Sequence, residues 1–128
     1  MRLLLDTHLA FWWQTGDDRL GDEARRLIES AVEQILVSRV SFWELAIKAG
    51  IGKLRIDLPT FAGQVEAMGF AWLSIENAHI LQLSALPIFT DHKDPFDRLL
   101  VAQSLSEPLI LLTKDAKLAR YGTTVRLV

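Results

Sequence analysis

The sequence has 128 residues and a mass of 14.5 kDa, the size of one domain. Half of its residues are hydrophobic and its net charge is −2, which excludes intrinsic disorder. It contains no cysteine, which excludes disulfide frameworks, thiolate zinc sites and cysteine nucleophiles. Apolar runs are only a few residues long, whereas a membrane span needs about 20. We therefore expect a single cytoplasmic domain over residues 1–128.

Short aliphatic strands alternate with helices along the chain. Strands are predicted over residues 2–6, 35–37, 70–75, 108–113 and 124–128. Helices are predicted over residues 7–14, 21–33, 39–49, 60–68, 76–86, 94–106 and 115–121. The segments 15–19, 54–59 and 87–93 read as turn, irregular chain and loop. This alternation predicts an α/β fold with a parallel central sheet flanked by helices on both faces.

Two aspartates follow predicted strands. Asp6 ends the first strand, and Asp115 lies just past the strand that ends near Thr113. Ligands bind outside the carboxyl ends of strands in open parallel sheets, which makes both residues candidates for a functional site. Each aspartate could instead cap the helix that follows it, and the sequence alone leaves both interpretations open.

Two further carboxylates lie on predicted helices. Glu44 borders an apolar stripe of residues 40, 43, 47 and 51, and a carboxylate withdrawn from water needs a partner or a metal ion. A pair with Lys48, four residues on, is the alternative. Asp97 lies three residues after Asp94, as in a capping box, yet it shares a helical face with residues 100, 101 and 104.

Together these four carboxylates indicate a metal site. Ligand sets made only of oxygen select hard cations such as Mg²⁺ or Mn²⁺. Other catalytic patterns are missing: His8, His79 and His92 show no metal-ligand spacing, and no nucleophile elbow, P-loop or dinucleotide fingerprint occurs. We expect His79, which lies among aliphatic residues, to serve packing.

Four segments resemble one protein family in order and spacing. They are LLLDTHLAFWW at 3–13, SRVSFWELAIKAGIGKL at 38–54, HKDPFDRLLVAQS at 92–104 and LLTKDAKLARYG at 111–122. The sequence resembles PIN-domain ribonucleases of the VapC type, the toxins of bacterial type II toxin–antitoxin systems. The resemblance covers nearly the whole chain.

The resemblance implies a metal-dependent endoribonuclease with Mg²⁺ or Mn²⁺ in an acidic pocket. It implies that Asp6 and Asp97 bind the metal directly, and that Glu44 and Asp115 complete the pocket by binding a second ion or orienting water. Thr7 and Thr113 follow or precede these acids and are expected to hydrogen-bond them, whereas Asp94 is kept as a helix cap. Cations near the acid motifs are candidates for binding phosphates: Arg39, Lys48, Lys53, Lys93, Arg98, Lys114 and Lys117.

The partners implied by the resemblance are an RNA substrate, an antitoxin segment lying in a hydrophobic groove, and a second copy of the chain. The adjacent Trp12 and Trp13 point to such an interface, because one of the two rings should leave the buried face. The 14 basic against 16 acidic residues do not favour a nucleic-acid partner on their own. If four acids line a metal pocket, however, the bound cation offsets that charge where RNA approaches.

Two other functions fit parts of the sequence. A receiver-like domain could use Asp6 or Asp115 as a phosphoacceptor, although no aspartate closes the predicted strand over 70–75. A metal-binding interaction module without cleavage activity would share the same acids. The second hypothesis predicts metal-dependent stabilisation without cleavage of RNA.

Overall fold

The computed structural model describes residues 2–30 and 33–128. Its five strands are β1 (Arg2–Leu5), β2 (Gln34–Ser38), β3 (Ala71–Leu73), β4 (Ile110–Thr113) and β5 (Val125–Leu127). Its helices are α1 (Thr7–Thr15), α2 (Asp22–Ser30), α3 (Arg39–Gly50), α4 (Leu58–Ala67), α5 (Asn77–Ser84) and α6 (Pro95–Ser106), with short 3-10 helices at Asp18–Leu20 and Leu118–Tyr121. All strand pairs are parallel, which confirms the predicted α/β fold.

Helices cover both faces of the sheet. Successive side chains of a strand point to opposite faces, so Leu3 and Leu5 of β1 enter one core and Leu4 enters the other. Helices α1, α2 and α4 contribute to the first core, and α6 contributes to the second. The central strand is therefore buried on both sides, as its aliphatic sequence requires.

Most predicted elements differ from those of the structure by one or more residues at their ends, and three segments show how. The segment predicted to be irregular up to residue 59 already contains the start of α4, because the Asp57 side chain accepts a hydrogen bond from Thr60 N at 3.0 Å. The helix predicted over 115–121 is a turn followed by the 3-10 helix at Leu118–Tyr121. The helix predicted over 21–33 is α2, and the predicted residues 31 and 32 lie outside the described part of the chain.

The strand order is β3-β2-β1-β4-β5. The chain runs outward from β1 through β2 to β3, and then adds β4 and β5 on the other side of β1. The carboxyl ends of β1 and β4 therefore flank the point where the direction of winding reverses, which is where open α/β sheets bind ligands. Within the described ranges, no helix is long and apolar enough to cross a membrane.

Candidate active site

Asp6 lies at the carboxyl end of β1, at this crevice, and is only 8% exposed. One carboxylate oxygen accepts from Thr7 N at 2.6 Å as the cap of α1, and the other accepts from the Thr113 hydroxyl at 2.7 Å. Burial raises the pKa of Asp6 above its usual value, and the Thr113 hydrogen bond acts in the opposite direction. The residue is thus both a helix cap and a buried acid held by a neighbouring strand.

Asp115 reaches the same crevice from the end of β4. Its backbone N–H donates to Thr113 Oγ1 at 3.1 Å, and its Oδ1 accepts from Lys117 N at 3.0 Å. A cleft of about 220 Å³ has Asp6, Asp115 and Lys114 in its lining. The hydroxyl of Thr113 therefore ties the two strand-end acids together.

Glu44 lies on α3 and is 7% exposed. The Thr7 hydroxyl donates to its Oε1 at 2.8 Å, and Lys48 Nζ lies 3.0 Å from its Oε2. Thr7 and Thr113 thus hydrogen-bond the acids, as predicted. The ion pair with Lys48, which was the alternative interpretation of Glu44, is present as well. Glu44 is therefore both buried and paired with Lys48.

Of the four residues in the apolar stripe predicted to bury Glu44, Val40 faces the core and the other three are exposed. Trp43 is 54% exposed and Ile51 62% exposed, so this interpretation of α3 is wrong. Helix α3 instead buries the face that carries Val40, Ser41, Glu44 and Leu45. Trp43 packs edge-on against Phe96 of α6, with ring centroids 4.8 Å apart, and leaves most of its surface free. Glu44 is buried because its own face packs inward.

Asp97 lies in the first turn of α6. Asp94 is the N-cap of this helix and accepts from Phe96 N at 2.9 Å and from Asp97 N at 3.2 Å, so its predicted capping role is confirmed. The Asp97 side chain is 19% exposed, and the cap of α6 is formed by Asp94 and not by Asp97.

The charge environment of Asp97 shows that the acids share one pocket. Its pKa is raised from 3.8 to about 8, first by burial and then by the negative charges of Asp6, Asp94, Glu44 and Asp115. Without a cation, Asp97 therefore holds a proton at neutral pH. The structure brings the four predicted site residues together around one crevice.

His92 is a site residue that the sequence analysis missed. One ligand atom each of His92, Asp97 and Asp115 lies within 4.8 Å of the others, a proximity that the spacing of the histidines in the sequence did not indicate. The loop before α6 returns His92 to the pocket, with a backbone hydrogen bond from His92 N to Phe89 O at 3.3 Å. Its closeness to Asp97 in sequence, five residues away, was the one hint that the two side chains lie near each other.

The other two histidines have different surroundings. His79 is fully buried, which agrees with the predicted role in packing, and its Nε2 also lies 2.7 Å from Glu107 Oε2, a polar contact that was not predicted. His8 is exposed and stacks on Trp12 with ring centroids 5.4 Å apart. Trp12 and Trp13 are both half-buried, and Trp13 packs against Phe70.

The donor set fits a hard divalent cation. The four acids present carboxylate oxygens in a partly dehydrated crevice, and the mutual repulsion of Asp97 with its neighbours is relieved when a cation binds. Ligand oxygens of this kind select Mg²⁺ or Mn²⁺ over softer metals.

Comparison with known proteins identifies the family. The PIN domain profile matches residues 3–123. The chain belongs to the PIN domain family. This PIN domain is 30% identical over 125 residues to Ribonuclease VapC22 of Mycobacterium tuberculosis, covering 93% of this chain and 91% of that protein. The resemblance drawn from the four sequence segments is confirmed.

Two solved structures share the fold of this PIN domain. One is VapBC2 from Rickettsia felis bound to a promoter DNA fragment, with a TM-score of 0.66, 15% identity, and coverage of 100% of this chain and 98% of that chain. The other is a toxin–antitoxin complex from Klebsiella pneumoniae, with a TM-score of 0.66, 18% identity, and coverage of 97% and 95%.

Replacing Thr113 by Val should weaken binding of Mn²⁺ by about tenfold or more, because the hydroxyl that holds Asp6 and Asp115 is lost. Titration of Mn²⁺ followed by electron paramagnetic resonance measures this. Thr124→Val is the matched control: it removes a hydroxyl that lies 2.9 Å from that of Ser104, just before the start of β5. Equal Mn²⁺ affinity in the two variants would contradict the role given to Thr113.

Proposed function

We propose that this PIN domain, over residues 1–128, is a metal-dependent endoribonuclease that acts as the toxin of a toxin–antitoxin pair. The observation that carries the proposal is the crevice in which Asp97 is buried beside the carboxylates of Asp6, Asp94, Glu44 and Asp115; burial first, and then their negative charges, raise its pKa to about 8. The relative named as a ribonuclease and the two toxin–antitoxin structures support the same function. We propose the cytoplasm as its location, because the proposed substrate is RNA.

In this proposal Asp6 and Asp97 are the direct ligands of Mg²⁺ or Mn²⁺. Glu44 and Asp115 complete the pocket by binding a second ion or by orienting the attacking water. Thr7 and Thr113 hold three of these acids in place through hydrogen bonds of 2.7–3.1 Å. When bound, the ion supplies charge stabilisation at the phosphodiester group and makes water more acidic.

The rim of the crevice offers cations for RNA phosphates. Lys114 lines the acidic cleft itself. A second cleft, of about 320 Å³, includes Lys48, Lys53 and Arg19 and shares His8 and Trp12 with the first. Phosphates bound along these side chains would lead the RNA backbone to the acids. The net charge of −2 is thus too coarse a measure of this surface.

Other predicted rim cations already have partners. The Arg39 guanidinium lies 4.1 Å from the Trp72 ring centroid, and Lys117 Nζ donates to Asp91 O at 3.3 Å. Arg98 donates to Pro87 O at 2.8 Å. These contacts favour structural roles. Lys53 and Lys114 are the stronger candidates for contacts with RNA because they line the two clefts, although Lys114 Nζ also donates to Val128 O at 3.4 Å.

The proposed protein partners fit two further surfaces. An antitoxin segment seated in the cleft that contains Trp12 would adjoin Asp6, because the two clefts share residues.

A second copy of the chain would cover the exposed ridge formed by Trp43, Ile47 and Ile51 of α3. A solution mass near twice 14.5 kDa is expected, and a monomer at all concentrations would contradict the dimer.

Cleavage of RNA by the purified chain tests the function. We expect internal cuts in a structured RNA with Mg²⁺, loss of cleavage with EDTA, and recovery when Mg²⁺ is added back. Metal-dependent stabilisation without cleavage would indicate a binding module instead. Labelling of Asp6 or Asp115 by a small phosphodonor would indicate a receiver-like domain.

A further inference from the structure

A chain of hydrogen bonds runs from Arg98 to Asp97 through two buried rings. Arg98 Nη1 donates to the Tyr121 hydroxyl at 3.1 Å, which lies 2.8 Å from His92 Nδ1. His92 Nε2 in turn lies 3.3 Å from Asp97 Oδ2. His92 is 6% exposed and Tyr121 7% exposed, so water is largely excluded from both. The function proposed above assigns no role to this series of hydrogen bonds.

The direction of these hydrogen bonds follows from the chemistry of their ends. A guanidinium can only donate, so the Tyr121 oxygen is an acceptor for Arg98. The Tyr121 hydroxyl can then donate its own hydrogen to His92 Nδ1, an arrangement that requires the Nε2–H tautomer of the ring. In that tautomer the hydrogen on Nε2 is directed at Asp97 Oδ2, which lies 3.3 Å away.

We propose that His92 is a positioning residue for Asp97: Arg98 and Tyr121 fix its Nε2–H tautomer, and this N–H holds the carboxylate that binds the metal. The inference rests on the proposed function only in taking Asp97 as a ligand. Ring nitrogens that carry hydrogen cannot coordinate a cation, so His92 orients the ligand and is not one itself. This distinguishes it from a third member of a His92–Asp97–Asp115 ligand set.

Neighbouring side chains hold the Tyr121 and His92 rings in place. The His92 and Tyr121 rings meet edge to face with centroids 5.5 Å apart, and Phe89 packs on Tyr121 at 5.0 Å. The same Arg98 Nη1 also donates to Pro87 O at 2.8 Å, which fixes the guanidinium beside Tyr121. Phe can replace Tyr121 without loss of these ring contacts, so the Tyr121→Phe variant removes only the hydroxyl.

Nuclear magnetic resonance of the imidazole ¹⁵N nuclei tests the tautomer without any activity assay. Recorded above the pKa of Asp97, the spectrum should show His92 with a protonated Nε2 and an unprotonated Nδ1. Tyr121→Phe should make the His92 tautomers mix, while His79, whose Nδ1 accepts from Glu76 N at 3.1 Å, stays unchanged as the internal control. A protonated Nδ1 on His92 in the unaltered chain would overturn the proposal.

Binding of Mn²⁺, the probe metal, tests the consequence. His92→Phe should weaken Mn²⁺ binding by about 10–100-fold, and His92→Gln, whose amide can donate in place of Nε2–H, should recover most of it. The Mn²⁺ complex should show no ¹⁴N hyperfine coupling that depends on His92. Unchanged affinity in His92→Phe, or such a coupling, would overturn the proposal. Because neither readout needs RNA, a failure to cleave RNA would count against the function alone.

Discussion

Asp6→Asn is expected to reduce cleavage of RNA by a factor on the order of 10³ while the chain remains folded. The amide keeps the size of the side chain and one oxygen that can accept from Thr7 N, so the start of α1 is preserved. It removes the negative charge that we propose binds the metal. Because burial raises the pKa of Asp6, the ionised carboxylate is costly without a cation, and the variant should melt no earlier than the unaltered metal-free chain.

Single-turnover cleavage and thermal unfolding measure the two parts of this prediction. Asp18→Asn is the matched control, since Asp18 is an exposed aspartate in a short 3-10 helix and should have no effect on cleavage. Asp97→Asn should lose activity as Asp6→Asn does. Full activity in Asp97→Asn would contradict the assignment of the site.

Stability without metal should fall as the pH rises from about 4 towards 8. Asp97 has a pKa of about 8 in the folded chain against an ordinary value of 3.8, so between these values the folded state holds a proton that the unfolded state has lost. Raising the pH therefore favours unfolding until Asp97 ionises in both states. Binding of Mg²⁺ displaces this proton, so metal affinity should increase with pH and level off near 8.

Urea unfolding in EDTA and in Mg²⁺ at several pH values checks both trends. The stabilisation by Mg²⁺ should be small at pH 5 and grow towards pH 8. Asp97→Asn removes the titrating group and should flatten the pH dependence in EDTA. A metal-free chain that becomes more stable over this pH range would contradict the environment described for Asp97.

Most of the fold could be predicted from the pattern of short aliphatic strands. Aliphatic runs such as Leu3–Leu5 are too short for a core helix and are buried on both faces, so their alternation with helices predicted a parallel sheet correctly. The strand-end position of Asp6 and Asp115 followed from the same reasoning. Local rules also identified Asp94 as the cap of α6.

The buried face of α3 and the position of His92 depend on tertiary contacts, which the periodicity of the sequence does not reveal. The apolar residues Trp43, Ile47 and Ile51 suggested the buried face of α3, but that helix turns its Glu44 face inward to meet Thr7. His92 entered the site through a loop, where no periodic pattern exists to place a side chain. Its partner Tyr121 is 29 residues away in sequence, so only the folded chain reveals their contact.

The most direct test of the central claim is an anomalous difference map from crystals of the chain soaked in MnCl₂. We predict a Mn²⁺ peak within about 2.5 Å of carboxylate oxygens from both Asp6 and Asp97. A map with no peak at these two residues, or with Mn²⁺ only on exposed acids such as Asp18, would contradict the claim that this crevice is a metal-dependent active site.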